Sequence, residues 1–131
     1  MKPFSILFLI LAFALTAQAD QKLQYEPAVV EITGALSKGK AEHPNGKWFD
    51  ILVLKLDAPA SIKGDGKPDS FNEDEDHIQE IQVYSGDEAL LKKLGKLSGK
   101  KVTLKGTLFH AQTAWHVRDL VMMVTEVKAA K

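Results

Sequence analysis

Residues 85–101 read SGDEALLKKLGKLSGKK, and within them the apolar spacing departs from that of every segment on either side. Leu90, Leu91, Leu94 and Leu97 recur three or four positions apart, which gathers them on one face of a helix, while Lys92, Lys93 and Lys96 lie elsewhere on it. Ser85 and Glu88 fit the S-x-x-E capping box, in which the hydroxyl accepts from one free backbone N–H and the carboxylate reaches back to another. Lysines in the later turns suit the negative end of the helix dipole, and Gly99 is the expected stop. Gly95, inside the helix, costs about 1 kcal/mol relative to alanine. The leucine face is expected to plug one end of a β-structure.

On both sides of this helix the apolar period is two. VVEITGAL (29–36) alternates Val30, Ile32 and Leu36 with polar neighbours and reads as a first strand buried on one face. WFDILVLKL (48–56) is apolar on both faces, as befits a strand in the middle of a small barrel or beneath a helix. IQEIQVY (78–84) is a weaker third strand and KVTLKGTLF (101–109) a fourth. WHVRDLVMMVTEV (115–127) is a fifth, starting near Trp115; either Met122 and Met123 sit at a bulge or both faces are covered. The order β-β-β-α-β-β predicts a mainly β fold, a five-stranded OB-like Greek-key barrel with one capping helix. Gly34 and Gly106, lying within strands, suit the sharp coiling that barrel closure demands. A plain antiparallel sheet carrying one helix is the alternative.

The 131-residue chain opens MKPFSILFLILAFALTAQADQK. Lys2 supplies a positive charge, Phe4 to Leu15 form an apolar run shorter than the ~20 residues of a membrane span, and Ala17-Gln18-Ala19 offers small residues for cleavage. A signal peptide over 1–19 and a single domain over 20–131 are expected, placing the mature protein in a bacterial periplasm or outside the cell, without stable membrane insertion. Cysteine is absent, so neither disulfides nor an N-terminal lipid anchor contributes, and stability rests on an apolar core. The chain carries 17 basic and 17 acidic residues, and removal of Lys2 would leave the acids one ahead. Such a near-neutral domain has no long-range field for phosphates, which argues against nucleic acid as partner. A monomer is expected.

In an OB-fold the loops after the first and fourth strands flank the binding face. Here they are SKGKAEHPNGK (37–47) and the turn within LFHAQTAWH (108–116). They bring forward a recognition surface of Trp48, His110, Gln112, Thr113, Trp115 and His116, the two tryptophans offering flat apolar area of the kind that dominates interfaces. His43, His110 and His116 could also approach one cleft, and three neutral imidazoles with an open position would hold zinc or copper. Against that, His110 and His116 can simply close a hairpin whose loop is residues 111–114, and His43-Pro44-Asn45-Gly46 is a turn signal in its own right. The acidic segment GDGKPDSFNEDEDH (64–77) fails the EF-hand pattern and reads as a solvated connection. No thiol, G-x-S-x-G elbow or spaced catalytic triad is present, and Asp50 and Asp119 are expected to face solvent or pair with Lys55 or Arg118, so no enzymatic activity is predicted.

The run KKVTLKGTLFHAQTAWHVRDLVMMV resembles the C-terminal signature of a family of uncharacterised secreted bacterial proteins, in which a G-x-L-F strand leads into an A-H-T-x-H-H hairpin. Gly106, Leu108, Phe109, Ala111, Thr113 and His116 carry the match, and LKLDAPASIKGDG (54–66) and Pro44-Asn45 extend it. Gln112 and Trp115 stand where that pattern has histidines, which favours a structural over a metal-binding hairpin. The resemblance implies no activity. Together these readings predict an exported, non-enzymatic binding module that meets an envelope protein or small ligand through loops 37–47 and 110–116. Metal binding, and inhibition of or immunity to a secreted enzyme, are the alternatives.

Overall fold

The computed structural model describes residues 20–130; the expected leader and its cleavage site lie outside them. The order is β1 (Gln21–Leu23), β2 (Val29–Glu42), β3 (Trp48–Ile62), β4 (Glu75–Tyr84), α1 (Glu88–Lys96), β5 (Lys101–His110) and β6 (Leu120–Ala129). The fold is mainly β, one helix against a six-stranded sheet. The sixth strand, β1, adds to the expected five: its short run pairs in parallel with Ala60–Ile62 at the end of β3. Among themselves, the five longer strands have two partners each. β2 runs antiparallel to β3 and β5, β3 and β4 are antiparallel, β4 and β6 parallel, and β5 and β6 antiparallel.

The core is built by alternation. Ile32 and Leu36 from β2, Leu54 from β3, Ile81 from β4, Leu104 and Leu108 from β5, and Leu120 and Met122 from β6 are all but sealed from solvent. Leu94 of α1 joins them fully buried, with Leu90 and Leu97 packed against the cluster. Leu91 was expected on the same face, yet it is exposed, because a nine-residue helix crossing the sheet buries a narrower stripe than four leucines need. Leu23 and Tyr25, from the segment holding β1, complete the cluster.

Gly106 answers to a bulge. Lys105 pairs with Glu126 but Gly106 with Val124, leaving Thr125 unpaired, and a Cβ on Gly106 would drive into the Met123 carbonyl. Met122 and Met123 therefore flank no bulge of their own: Met122 is in the core and Met123 on the outer face. The helix is capped by Asp87 rather than by the expected Ser85–Glu88 box. The Asp87 carboxylate accepts from Ala89 N at 2.9 Å and Leu90 N at 3.3 Å, while Ser85 Oγ accepts from Asp87 N one step earlier. At the other end Gly99 adopts φ 86°, and its N–H donates to Leu36 O at 2.7 Å, tying the helix exit to β2.

Candidate functional site

β3, β4 and β6 turn a second apolar surface away from the core. Val53 pairs with Gln82, Gln82 with Val121, and Val121 with Phe109, so these four side chains form one row across four strands. Ile51 and Val53 are buried on this outer side. Gln82, Val121 and Phe109 of this row, with Ile51 from β3, are the floor of a groove of about 880 Å³, walled by Phe49 and Trp115 on one side and by Tyr84, Leu91 and Met123 towards the helix. That volume falls within the range of small-molecule sites, which span roughly 300–1,000 Å³. Lys38, Lys92 and Lys96 stand at its rim, and among the described residues none of them lies within ion-pairing distance of a carboxylate. The rim's carboxylate, Asp50, is paired with Lys40 at 3.6 Å and not with Lys55. Arg118 pairs with Glu80 at 2.8 Å and not with Asp119.

The two loops meet at this groove. His43 and Trp115 face one another with ring centroids 4.2 Å apart, and Phe49 meets Trp115 edge-on at 4.9 Å. The β2–β3 turn is set by Pro44-Asn45-Gly46, with Gly46 at φ 86° and His43 Nδ1 accepting from Asn45 N at 3.1 Å. The β5–β6 loop is longer than expected. Ala111 N donates to Asp119 O, so residues 111–119 form the loop and β6 begins at Leu120 instead of near Trp115. What holds this longer loop is Gln82, only 8% exposed. Its Nε2 donates to Trp115 O at 3.0 Å and its Oε1 accepts from Val117 N at 2.7 Å. One amide thus satisfies a donor and an acceptor two residues apart and fixes Trp115 over the groove.

His116 is the second anchor. Its Nδ1 accepts from Gln112 N at 2.9 Å and Thr113 N at 3.2 Å, and its ring meets Phe109 edge-on at 5.3 Å. Burial holds its pKa below the ordinary histidine value, so the ring is neutral with the proton on Nε2.

The expected histidine site does not assemble. His110 leaves β5 on the face opposite Phe109 and directs Nε2 at Glu75 Oε1 (2.9 Å) and Glu73 Oε1 (3.4 Å). His43 and His116 each commit Nδ1 to backbone N–H groups, which places the remaining proton on Nε2 and takes away the lone pair a metal needs. Among the described residues the group able to hold a metal is Glu73, Glu75 and His110. Burial alone would lower the His110 pKa, but the bond to Glu75, the Ala111 carbonyl and the charges of Glu73 and Glu75 outweigh it and raise the pKa.

Of the expected recognition residues, Thr113, Trp115 and His116 line the groove. Trp48, at the first position of β3, is 64% exposed and points away from it, while its neighbour Phe49 takes the wall. His110 and Gln112 do not line it either. The floor residues Ile51, Gln82 and Val121 were missed, although a second strand apolar on both faces and the run Val121-Met122-Met123 both signalled a covered outer surface.

The acidic segment is more ordered than a plain connection. Asp65 accepts from Lys67 N, Ser70 Oγ and Asn72 Nδ2; the Ser70 bond foremost, then the Lys67 N–H, holds its pKa below the usual carboxylate value. Asp74 accepts from Gly64 N at 2.6 Å, closing the loop at its base.

No curated protein matches the chain. Residues 80–128 match the family described as a domain of unknown function, DUF4431, which takes in the second half of β4, the helix, β5, the loop and β6 up to Lys128. Over that segment, which includes Gln82, Trp115 and His116, the chain is similar to an uncharacterised domain family.

Proposed function

We propose that this is an exported, non-enzymatic binding module of OB type whose ligand is a small amphipathic molecule, an apolar body ending in an anionic group. The OB assignment rests on the ring of pairings β2–β3–β4–β6–β5 and back to β2, with its one parallel contact and with the helix between β4 and β5, the third and fourth of these strands along the chain. Export rests on the leader pattern of residues 1–19. The observation that carries the ligand class is the groove itself: an apolar floor four strands wide, an aromatic wall fixed by Gln82, and at the helical rim three lysines without ion-pair partners among the described residues. An apolar chain laid along Ile51, Val121 and Met123 would bury surface worth about 25 cal/mol per Å². An anionic end near Lys92 and Lys96 would find positive charge that no carboxylate among the described residues pairs. The overall charge is zero, so attraction of this kind is local and short-ranged.

Decanoate, decanol and decyltrimethylammonium test this when titrated into the protein below their aggregation concentrations, with tryptophan emission and calorimetry as readouts. Decanoate is expected to bind with one-to-one stoichiometry, decanol more weakly and the cation weakest. Replacing Lys38, Lys92 and Lys96 together by Gln should erase the preference for decanoate over decanol. Equal affinity for anion and cation, or no saturable binding of any of the three, overturns the reading.

A further inference from the structure

Away from the groove, Glu73, Glu75 and His110 bring three ligand atoms within 4.8 Å of one another. Each is held by something outside the trio. Tyr25, buried at the foot of the sheet, donates its hydroxyl to Glu73 O at 2.6 Å. Glu75 opens β4 and pairs with Ile62 of β3. His110 closes β5; its backbone N–H donates to Asn72 Oδ1 at 3.0 Å, and its Nδ1 lies 3.3 Å from Ala111 O.

That last contact decides the chemistry of the ring. A carbonyl oxygen can only accept, so Nδ1 carries a proton and Nε2 of the neutral ring presents a lone pair. This lone pair faces two carboxylate oxygens, at 2.9 and 3.4 Å. A cation is needed to hold the three together: either a proton on Nε2, which makes the ring an imidazolium donating to Glu75, or a metal ion in the proton's place. An imidazole whose other nitrogen donates to a backbone carbonyl is the usual second shell of a metal-bound histidine.

We propose that Glu73, Glu75 and His110 form a binding site for a single divalent metal ion of the zinc type. Ligand atoms about 2.1 Å from a tetrahedral zinc lie roughly 3.4 Å apart. The His110–Glu73 separation already matches that, and the His110–Glu75 pair opens to it by a small rotation of the Glu75 side chain. One imidazole and two carboxylates favour zinc over calcium, which takes six to eight oxygens. His110 and Glu75 have only 14% and 23% of their side chains exposed, whereas Glu73 is 68% exposed. The fourth position is therefore on the solvent side, next to Glu73. The ion would fasten residues 72–75 to the ends of β4 and β5, and it uses none of the groove residues.

The test is zinc chloride titrated calorimetrically into chelator-treated protein at pH 7.5, beside thermal melts with and without zinc. One ion per chain and an upward shift in Tm are expected. Glu75→Gln and His110→Gln should each weaken binding tenfold or more, and His43→Gln should leave it unchanged. Ring-nitrogen NMR on the unsubstituted protein covers the case in which the variants fold poorly: zinc should move His110 Nε2, with Nδ1 still protonated, and leave the other rings in place. Absence of zinc heat, unchanged affinity in both variants, or a zinc response at His43, His77 or His116 instead overturns the proposal.

Discussion

Gln82→Leu separates the groove's wall from its floor. The substitution keeps nearly the same length and an apolar body between Val53 and Val121, but it removes the amide that bonds Trp115 O at 3.0 Å and Val117 N at 2.7 Å. Each such bond contributes about 1 kcal/mol net, and a group left unpaired in place costs about 1–3 kcal/mol. The loop of residues 111–119 has an exit, since Gln112, Thr113, Ala114 and Trp115 already face solvent. It can swing outward and hydrate the orphaned groups, which limits the loss to the two bonds, about 2 kcal/mol. That loss falls on local opening of the loop and not on the core, where the leucine adds apolar burial. Hydrogen exchange at the Val117 N–H is therefore expected to accelerate about thirtyfold, while exchange at Ile81 and Leu104 and the urea midpoint change little. Decanoate affinity should fall about tenfold as the Trp115 wall is lost. Gln82→Glu keeps the acceptor for Val117 but sets a carboxylate oxygen against the Trp115 carbonyl, and should free Trp115 more than Val117. Unchanged Val117 protection in the leucine variant, or a loss spread equally over all strands, would refute the clamp.

Two glycine substitutions should have opposite signs. Gly106→Ala forces a Cβ into the Met123 carbonyl and is expected to cost about 3 kcal/mol in urea denaturation, whereas Gly95→Ala meets only the tip of Lys38 at 3.5 Å and should stabilise by about 1 kcal/mol. Leu94→Ala empties a fully buried helical position and should cost about 3 kcal/mol. Tyr25 has its pKa pushed up to about 12, chiefly by burial and then by Glu75 and Glu73. Because the folded state holds that proton more tightly than the unfolded one, its contribution is intact below pH 10 and is lost as pH rises towards 12; in a Tyr84→Phe background, phenolate absorbance should develop near the upper end of that window. His116 shifts the other way. Its neutral form is favoured by burial, so the stability it contributes is present above the ordinary histidine pKa and lost as pH falls below it, and its ring NMR signals should titrate below that value.

How much of this was legible follows from which signals are local. The helix could be read because Leu90, Leu94 and Leu97 repeat at its own period, and the five long strands because apolar side chains alternate along each. The cap was placed two residues early because Ser85 and Asp87 both offer oxygens to nearby N–H groups, and spacing alone does not say which of them the backbone leaves in the extended conformation. β1 escaped notice since three residues carry too little pattern to stand out.

The site was harder for a different reason. Trp48 and Phe49 are adjacent, and a strand sends them to opposite faces; choosing between them requires the register that sets Glu42 opposite Trp48. The same parity parts His110 from Phe109, turning the histidine towards Glu73 and Glu75 and the phenylalanine towards His116. Counting residue types along LFHAQTAWH places both histidines in one hairpin, yet a single step of strand parity sends one to a cluster of carboxylates and leaves the other to brace an aromatic wall. Gln82 was hidden by the opposite circumstance. A lone glutamine between Ile81 and Val83 reads as the solvated side of an alternating strand, and only the long loop returning over it from β5 converts that polar position into a buried clamp. Legibility thus ends where one residue's role is set by chain more than thirty positions away, and a protein that builds its groove on the outside of its strands sets most of that groove's geometry there.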